Sequence, residues 1–112
     1  MNIYFLTGIP RAGNTLFGSI MNQNQNVKVS ANSTVPVLID NILATKDHKI
    51  YQNFPDHRLV DNVIENLFEN YYAPLNVDNI IDRGAWGLDY LLSITKHLIK
   101  DRKYIILYRP IL

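Results

Sequence analysis

The sequence predicts an α/β fold in which a parallel sheet is covered by helices on both faces, and three observations carry that prediction. Short apolar runs alternate with amphipathic stretches in the order strand, helix, strand, helices, strand, helix, strand. Two of the runs, 3–7 and 104–108, are almost continuously apolar, as suits strands buried on both faces. Strands joined in sequence by helices imply right-handed crossovers, and such crossovers make neighbouring strands parallel. With 112 residues, 47% of them hydrophobic, the chain has material for one core and reads as a single domain over 1–112.

The elements follow in order. Residues 3–7 form the first strand, and Gly8 and Pro10 end it. After a turn over 8–13, Leu16, Phe17, Ile20 and Met21 recur at helical spacing up to about Asn22. Polar turn formers from Asn22 to Asn26 break that helix, and 27–30 makes a short second strand. Val35, Leu38, Ile39, Ile42 and Leu43 share one face of a helix over 35–46, and the polar stretch 46–54 reads as a surface loop. Pro55 and Asp56 open the strongest helix, because both residue types suit a first turn. Its apolar stripe is Leu59, Val60, Val63, Ile64, Leu67, Phe68 and Tyr71, and Pro74 closes it. A strand over 79–82 and an amphipathic helix over 86–100 precede the strand 104–108, the most convincingly buried of the four.

Composition excludes several classes of function. Eleven basic and ten acidic residues leave a formal charge of +1, which gives no general reason to expect nucleic acid or an anionic membrane as partner. With no cysteine there is no disulfide framework, thiolate metal site or cysteine nucleophile. The apolar N-terminus lacks a basic leader and is interrupted by Gly8, Pro10 and Arg11, and no stretch approaches the ~20 apolar residues of a membrane span. The expectation is a cytoplasmic protein. His48, His57 and His97 fall in a loop and on helices and read as surface residues.

The most informative segment is Gly8-Ile9-Pro10-Arg11-Ala12-Gly13-Asn14-Thr15, set between a buried strand and a helix start. Backbone N–H groups there lack intrahelical partners, and the helix dipole favours an anion. Two glycines permit a tight turn around a phosphate, and Thr15 adds a hydroxyl. The spacing G-x-x-x-x-G-x-T matches a phosphate-binding loop except that Asn14 stands where phosphoryl-transfer enzymes have lysine. An amide cannot neutralise charge between the outer phosphates, which counts against a nucleotide kinase. The loop's one cation is Arg11.

Gly-Ile-Pro-Arg-Ala-Gly-Asn-Thr-Leu over 8–16 resembles the 5′-phosphosulfate loop of sulfotransferases that use PAPS (3′-phosphoadenosine 5′-phosphosulfate), and is closest to the bacterial and phage-type branch. The Asn-rich turn over 22–26 and Tyr104-Ile105-Ile106-Leu107-Tyr108-Arg109-Pro110 are also similar to that family, and Asp82-Arg83-Gly84-Ala85-Trp86 is similar more weakly. The resemblance implies a P-loop-type three-layer fold without the lysine of nucleoside triphosphatases. It further implies PAPS as sulfuryl donor, bound by the amides of Ala12, Gly13 and Asn14 and the Thr15 hydroxyl. Arg11 would reach the bridging oxygen, Arg83 the sulfuryl group and Arg109 the 3′-phosphate. The acceptor, a hydroxyl or amine, is not readable, and no metal is required.

The family's partner serine lies on a helix beyond the Arg109 strand, so the chain is expected to be the N-terminal portion of a larger enzyme, incomplete at its C-terminus. Where animal cytosolic relatives carry an aromatic residue to stack on adenine, this chain has Leu16, and where they carry a catalytic histidine it has Gly84 and Ala85. Asp82 is left as a candidate base. The alternatives are a P-loop nucleotide kinase and an inactive truncated nucleotide-binding module.

Overall fold

The computed structural model describes residues 1–8, 14–30, 32–100 and 103–107. Its strands are β1 (Asn2–Gly8), β2 (Val27–Ser30), β3 (Asn79–Arg83) and β4 (Lys103–Leu107). They form one parallel sheet in the order β2-β3-β1-β4. The helices are α1 (Asn14–Met21), α2 (Val35–Ala44), α3 (Lys49–Asn53), α4 (His57–Glu65), α5 (Leu67–Tyr72) and α6 (Asp89–Leu98), with 3₁₀ turns at Thr45–Asp47 and Ala73–Leu75. The predicted α/β architecture with a parallel sheet flanked by helices is the one observed.

The strand order determines which helix covers which face. From β1 the chain moves toward the β2 edge, and from β2 and again from β3 it moves back. Right-handed crossovers running in opposite directions lie on opposite faces of a sheet. The two cores have that distribution. Phe17 and Met21 of α1 pack with Leu6, Val27, Val29, Ile81 and Ile105. Residues of α2, α4, α5 and α6 pack with Phe5, Ile80 and Tyr104 on the other side. Side chains alternate along each strand, so β1 sends Phe5 to one core and Leu6 to the other. Gly18 lets α1 approach β2 closely: a Cβ there would stand 3.3 Å from Cγ1 of Val29.

The larger core centres on aromatic rings. The Phe5 centroid lies 5.1 Å from Phe68, 4.9 Å from Trp86 and 5.5 Å from Tyr104. These edge-on and tilted geometries are the ones ring quadrupoles favour.

Four expectations need correction. The stretch 46–54 is not simply a loop, since it holds α3, whose first turn is capped where His48 Nδ1 accepts from the Ile50 N–H at 3.1 Å. The long helix after Pro55 is two helices. They divide at Asn66, whose side-chain amide donates to the Asn62 carbonyl at 2.8 Å and shares it with the Asn66 backbone N–H at 3.3 Å. Its buried stripe is Ile64, Phe68 and Tyr72, whereas Leu59, Val63 and Tyr71 are 58%, 51% and 41% exposed. Trp86 precedes its helix instead of starting it, since Leu88 is extended and α6 begins at Asp89. β4 is the last strand in the order, paired with β1 alone among the described residues, and Ile106 is 64% exposed rather than buried.

Candidate functional site

In open parallel sheets, ligands bind beyond the carboxyl ends of the strands, at the point where adjacent strands send their connections to opposite faces. Here that point lies between β1 and β3, because β1 leads to α1 on one face and β3 leads to α6 on the other. The register brings Leu6 of β1 opposite Arg83 of β3, and the Gly84 N–H donates to the Leu6 carbonyl at 3.1 Å. Arg83, half-buried, therefore leaves the sheet at the edge from which the 8–15 segment departs.

The other predicted residues are placed less fully. Asn14 and Thr15 are the first two residues of α1, so the segment enters a helix N-terminus as expected. Arg11, Ala12, Gly13 and Arg109 lie outside the described residues. Gly8 pairs with Leu107, the last described residue of β4, so the β4 chain also reaches this edge. The described ends of β1, β3 and β4 thus lie at one edge of the sheet.

Sequence reasoning missed the polar cluster beneath that edge. Asp82 is completely buried at the end of β3. Its Oδ2 accepts hydrogen bonds from the Ser33 hydroxyl at 2.7 Å and from the Tyr72 hydroxyl, and its Oδ1 accepts from Nε1 of Trp86 at 2.8 Å. These donors come from the turn before α2, the end of α5 and the turn before α6. Burial pushes the Asp82 carboxyl up from its ordinary pKa, against the opposing pull of the three donors. Tyr72 is also pushed up, first by burial and then by the neighbouring Asp82 charge. With both oxygens engaged and no exposed surface, Asp82 is poorly placed to meet a substrate proton directly.

The cluster extends to the backbone of Arg83. The Arg83 N–H donates to the Ser30 hydroxyl at 3.1 Å, and its carbonyl accepts from the Ser33 N–H at 2.8 Å. Ser33 in turn accepts from the Val35 N–H at 3.1 Å, which satisfies one of the orphan donors opening α2. The sequence signal was present in Ser33 just ahead of a helix and an acid ending an apolar strand, but their partnership spans 49 residues.

His48, His57 and His97 are all exposed, and among the described residues no group of three or more His, Asp or Glu side chains could hold a metal ion. Leu16 is 66% exposed on α1. A cavity of about 640 Å³ opens at the opposite, amino-terminal edge of the sheet, between Asn2, Phe68, Leu98 and Lys103, and contains none of the predicted site residues. Among the described residues no helix is long and apolar enough to cross a membrane. The chain matches no model of a known protein family and no curated protein.

Proposed function

We propose that the protein binds PAPS at the carboxyl edge of β1 and β3 and transfers its sulfuryl group to a hydroxyl or amine. One observation supports the reading: the described ends of β1, β3 and β4 lie at one edge of the sheet, with Leu6 opposite Arg83 and Gly8 opposite Leu107. The absence of a lysine at Asn14 fits sulfuryl transfer better than phosphoryl transfer.

In this reading the amides of Ala12, Gly13 and Asn14 and the Thr15 hydroxyl hold the 5′-phosphosulfate at the start of α1, where the helix dipole favours an anion. Arg11 stabilises charge on the departing phosphate as the sulfur–oxygen bond breaks, and its guanidinium spreads that interaction over a planar fork. Arg83 supplies a second cation at the sulfuryl group, and Arg109 binds the 3′-phosphate bidentately. The chain's contribution to rate is positioning and charge stabilisation.

Calorimetry of the purified chain with PAP, the desulfated product, is the direct test, with ATP and magnesium as comparison. Saturable PAP binding that does not need magnesium supports the reading, and ATP binding that requires magnesium in its place overturns it. Arg109→Ala is expected to weaken PAP about tenfold to a hundredfold, the loss of a charge-assisted contact worth ~1.5–3 kcal/mol. Arg11→Ala is expected to lower turnover more than affinity, because its contact strengthens as charge develops.

A further inference from the structure

We infer that Asp82 is a proton-operated latch: carrying a proton, it holds the turn before α2, the end of α5 and the turn before α6 on the end of β3, and giving that proton up loosens them. No ligand enters this inference, so it is independent of the sulfotransferase reading.

A carboxylate inside a protein is ordinarily matched by a cation or neutralised by a proton. Asp82 has no exposed surface, and among the described residues it forms no ion pair. Around it, Phe5 of β1 and Ser30 of β2 lie opposite, Ser33 precedes α2, Tyr72 ends α5 and Trp86 precedes α6. Of these only Tyr72 is titratable, and a phenol does not offset a negative charge. Arg83 is next in the chain, but alternation along β3 directs its side chain to the opposite face of the sheet. Neutral donors thus soften the cost of the buried charge without removing it, and burial prevails.

The partners are of two kinds, and the difference fixes where the proton sits. Oδ1 accepts from Trp86 Nε1 at 2.8 Å, and the same N–H also donates to the Asp82 carbonyl at 3.1 Å. An indole N–H never accepts, so a proton on Oδ1 would face another proton. Oδ2 faces the hydroxyls of Ser33 and Tyr72, and a hydroxyl can turn from donor to acceptor. Tyr72 is itself hydrogen-bonded to Ser30 and Ser33, so a hydroxyl that accepts from Oδ2 can pass its own hydrogen along the cluster. Protonated on Oδ2, Asp82 keeps a partner for each of these groups and buries no charge. Ionised, it keeps its donors but carries a charge that hydration would relieve. Opening the cluster to water therefore becomes easier as the proton is lost. What opens are the turns that hold Ser33 and Trp86, both at the carboxyl edge of the sheet.

Hydrogen exchange of the full chain, read by NMR, tests this at two groups. One is the indole N–H of Trp86, the single tryptophan of the sequence, and the other is the Ser33 backbone N–H, which donates to the Arg83 carbonyl at 2.8 Å. After correction for intrinsic exchange, their protection is expected to fall as pH rises above 3.8, by up to about tenfold per pH unit, because opening then releases one proton. Both groups should also open at lower free energy than the amides of β1. Protection that is flat or rises over this interval overturns the inference, and so does exchange of both groups only together with β1.

Asp82→Asn imitates the protonated acid: its amide donates toward the two hydroxyls while its oxygen accepts from Trp86. The pH dependence at Trp86 and Ser33 is expected to vanish in this variant, and its persistence would assign the effect to another group and overturn the inference. Should the variant not fold, the carboxyl carbon of Asp82 in the unsubstituted protein reads the same proton. A titration midpoint above 3.8 in the folded state supports the latch, and one at or below 3.8 overturns it.

Discussion

Replacing Trp86 by Phe keeps a ring against Phe5 and Phe68 but deletes the indole N–H that Asp82 accepts at 2.8 Å. A buried acceptor left short of one partner costs about 1–3 kcal/mol, so denaturant unfolding of Trp86→Phe should show a loss in that range with an unchanged m-value. The same carboxylate gives a signed pH dependence. Burial raises its pKa above the ordinary 3.8, so the folded protein holds more protons than the unfolded chain in the interval above that value. The stability that Asp82 contributes therefore declines as pH rises through this interval. The gap in melting temperature between the unsubstituted protein and Asp82→Asn should narrow as pH rises above 3.8. A gap that widened would mean the carboxyl is held below its ordinary range instead. Asp56 has the opposite sign: Arg58 holds it down at about 2, so its favourable pairing is present above 3.8 and is lost as pH falls toward 2.

At the scale of elements, α4 and α5 show what a sequence pattern can and cannot convey. The apolar spacing from Leu59 to Tyr71 announced a helical segment, and the segment is helical. It did not announce which of two adjacent stripes faces the sheet, because Leu59 and Val63 are as apolar as Val60 and Ile64. The choice is made by the aromatic cluster around Phe5, against which Ile64, Phe68 and Tyr72 pack. Phe68→Ala is expected to cost about 3–5 kcal/mol, whereas Leu59→Ala should stay within about 0.5 kcal/mol. Equal costs would mean that the exposed stripe is packed against something. The strands were more legible: 27–30 is β2 without change, and β1 and β3 extend the expected runs by a residue or two. A strand buried on both faces carries its own signature in composition. The four-way meeting at Asp82 carries none, since Ser33, Tyr72 and Trp86 are individually unremarkable and are brought together only by the folded topology.

For the whole molecule, sheet order was the main quantity the sequence left open. Alternating strands and helices are compatible with several parallel arrangements, and the observed order puts β1 and β3 in the middle. Amides of these two strands should exchange with solvent slowest, with free energies of opening nearest the global value, and those of β4 should exchange sooner. Ile106, exposed on the edge strand, should tolerate replacement by lysine with a change within about 0.5 kcal/mol, measured by thermal unfolding.

The same order has a consequence for how the protein is made. β1 and β2 leave the ribosome before β3, yet β3 lies between them in the sheet. Asn2 pairs with Asn79 and Val27 pairs with the same residue from the other side. Until β3 emerges, the nascent chain holds these two strands without a sheet partner in native register. The central strand is thus a keystone delivered late, and long-range closures of this kind are slow and expose sticky surface while they wait. Assembly of the sheet is gated by the arrival of the segment that also carries Asp82 and Arg83, so the frame and the proposed site become organised in one event.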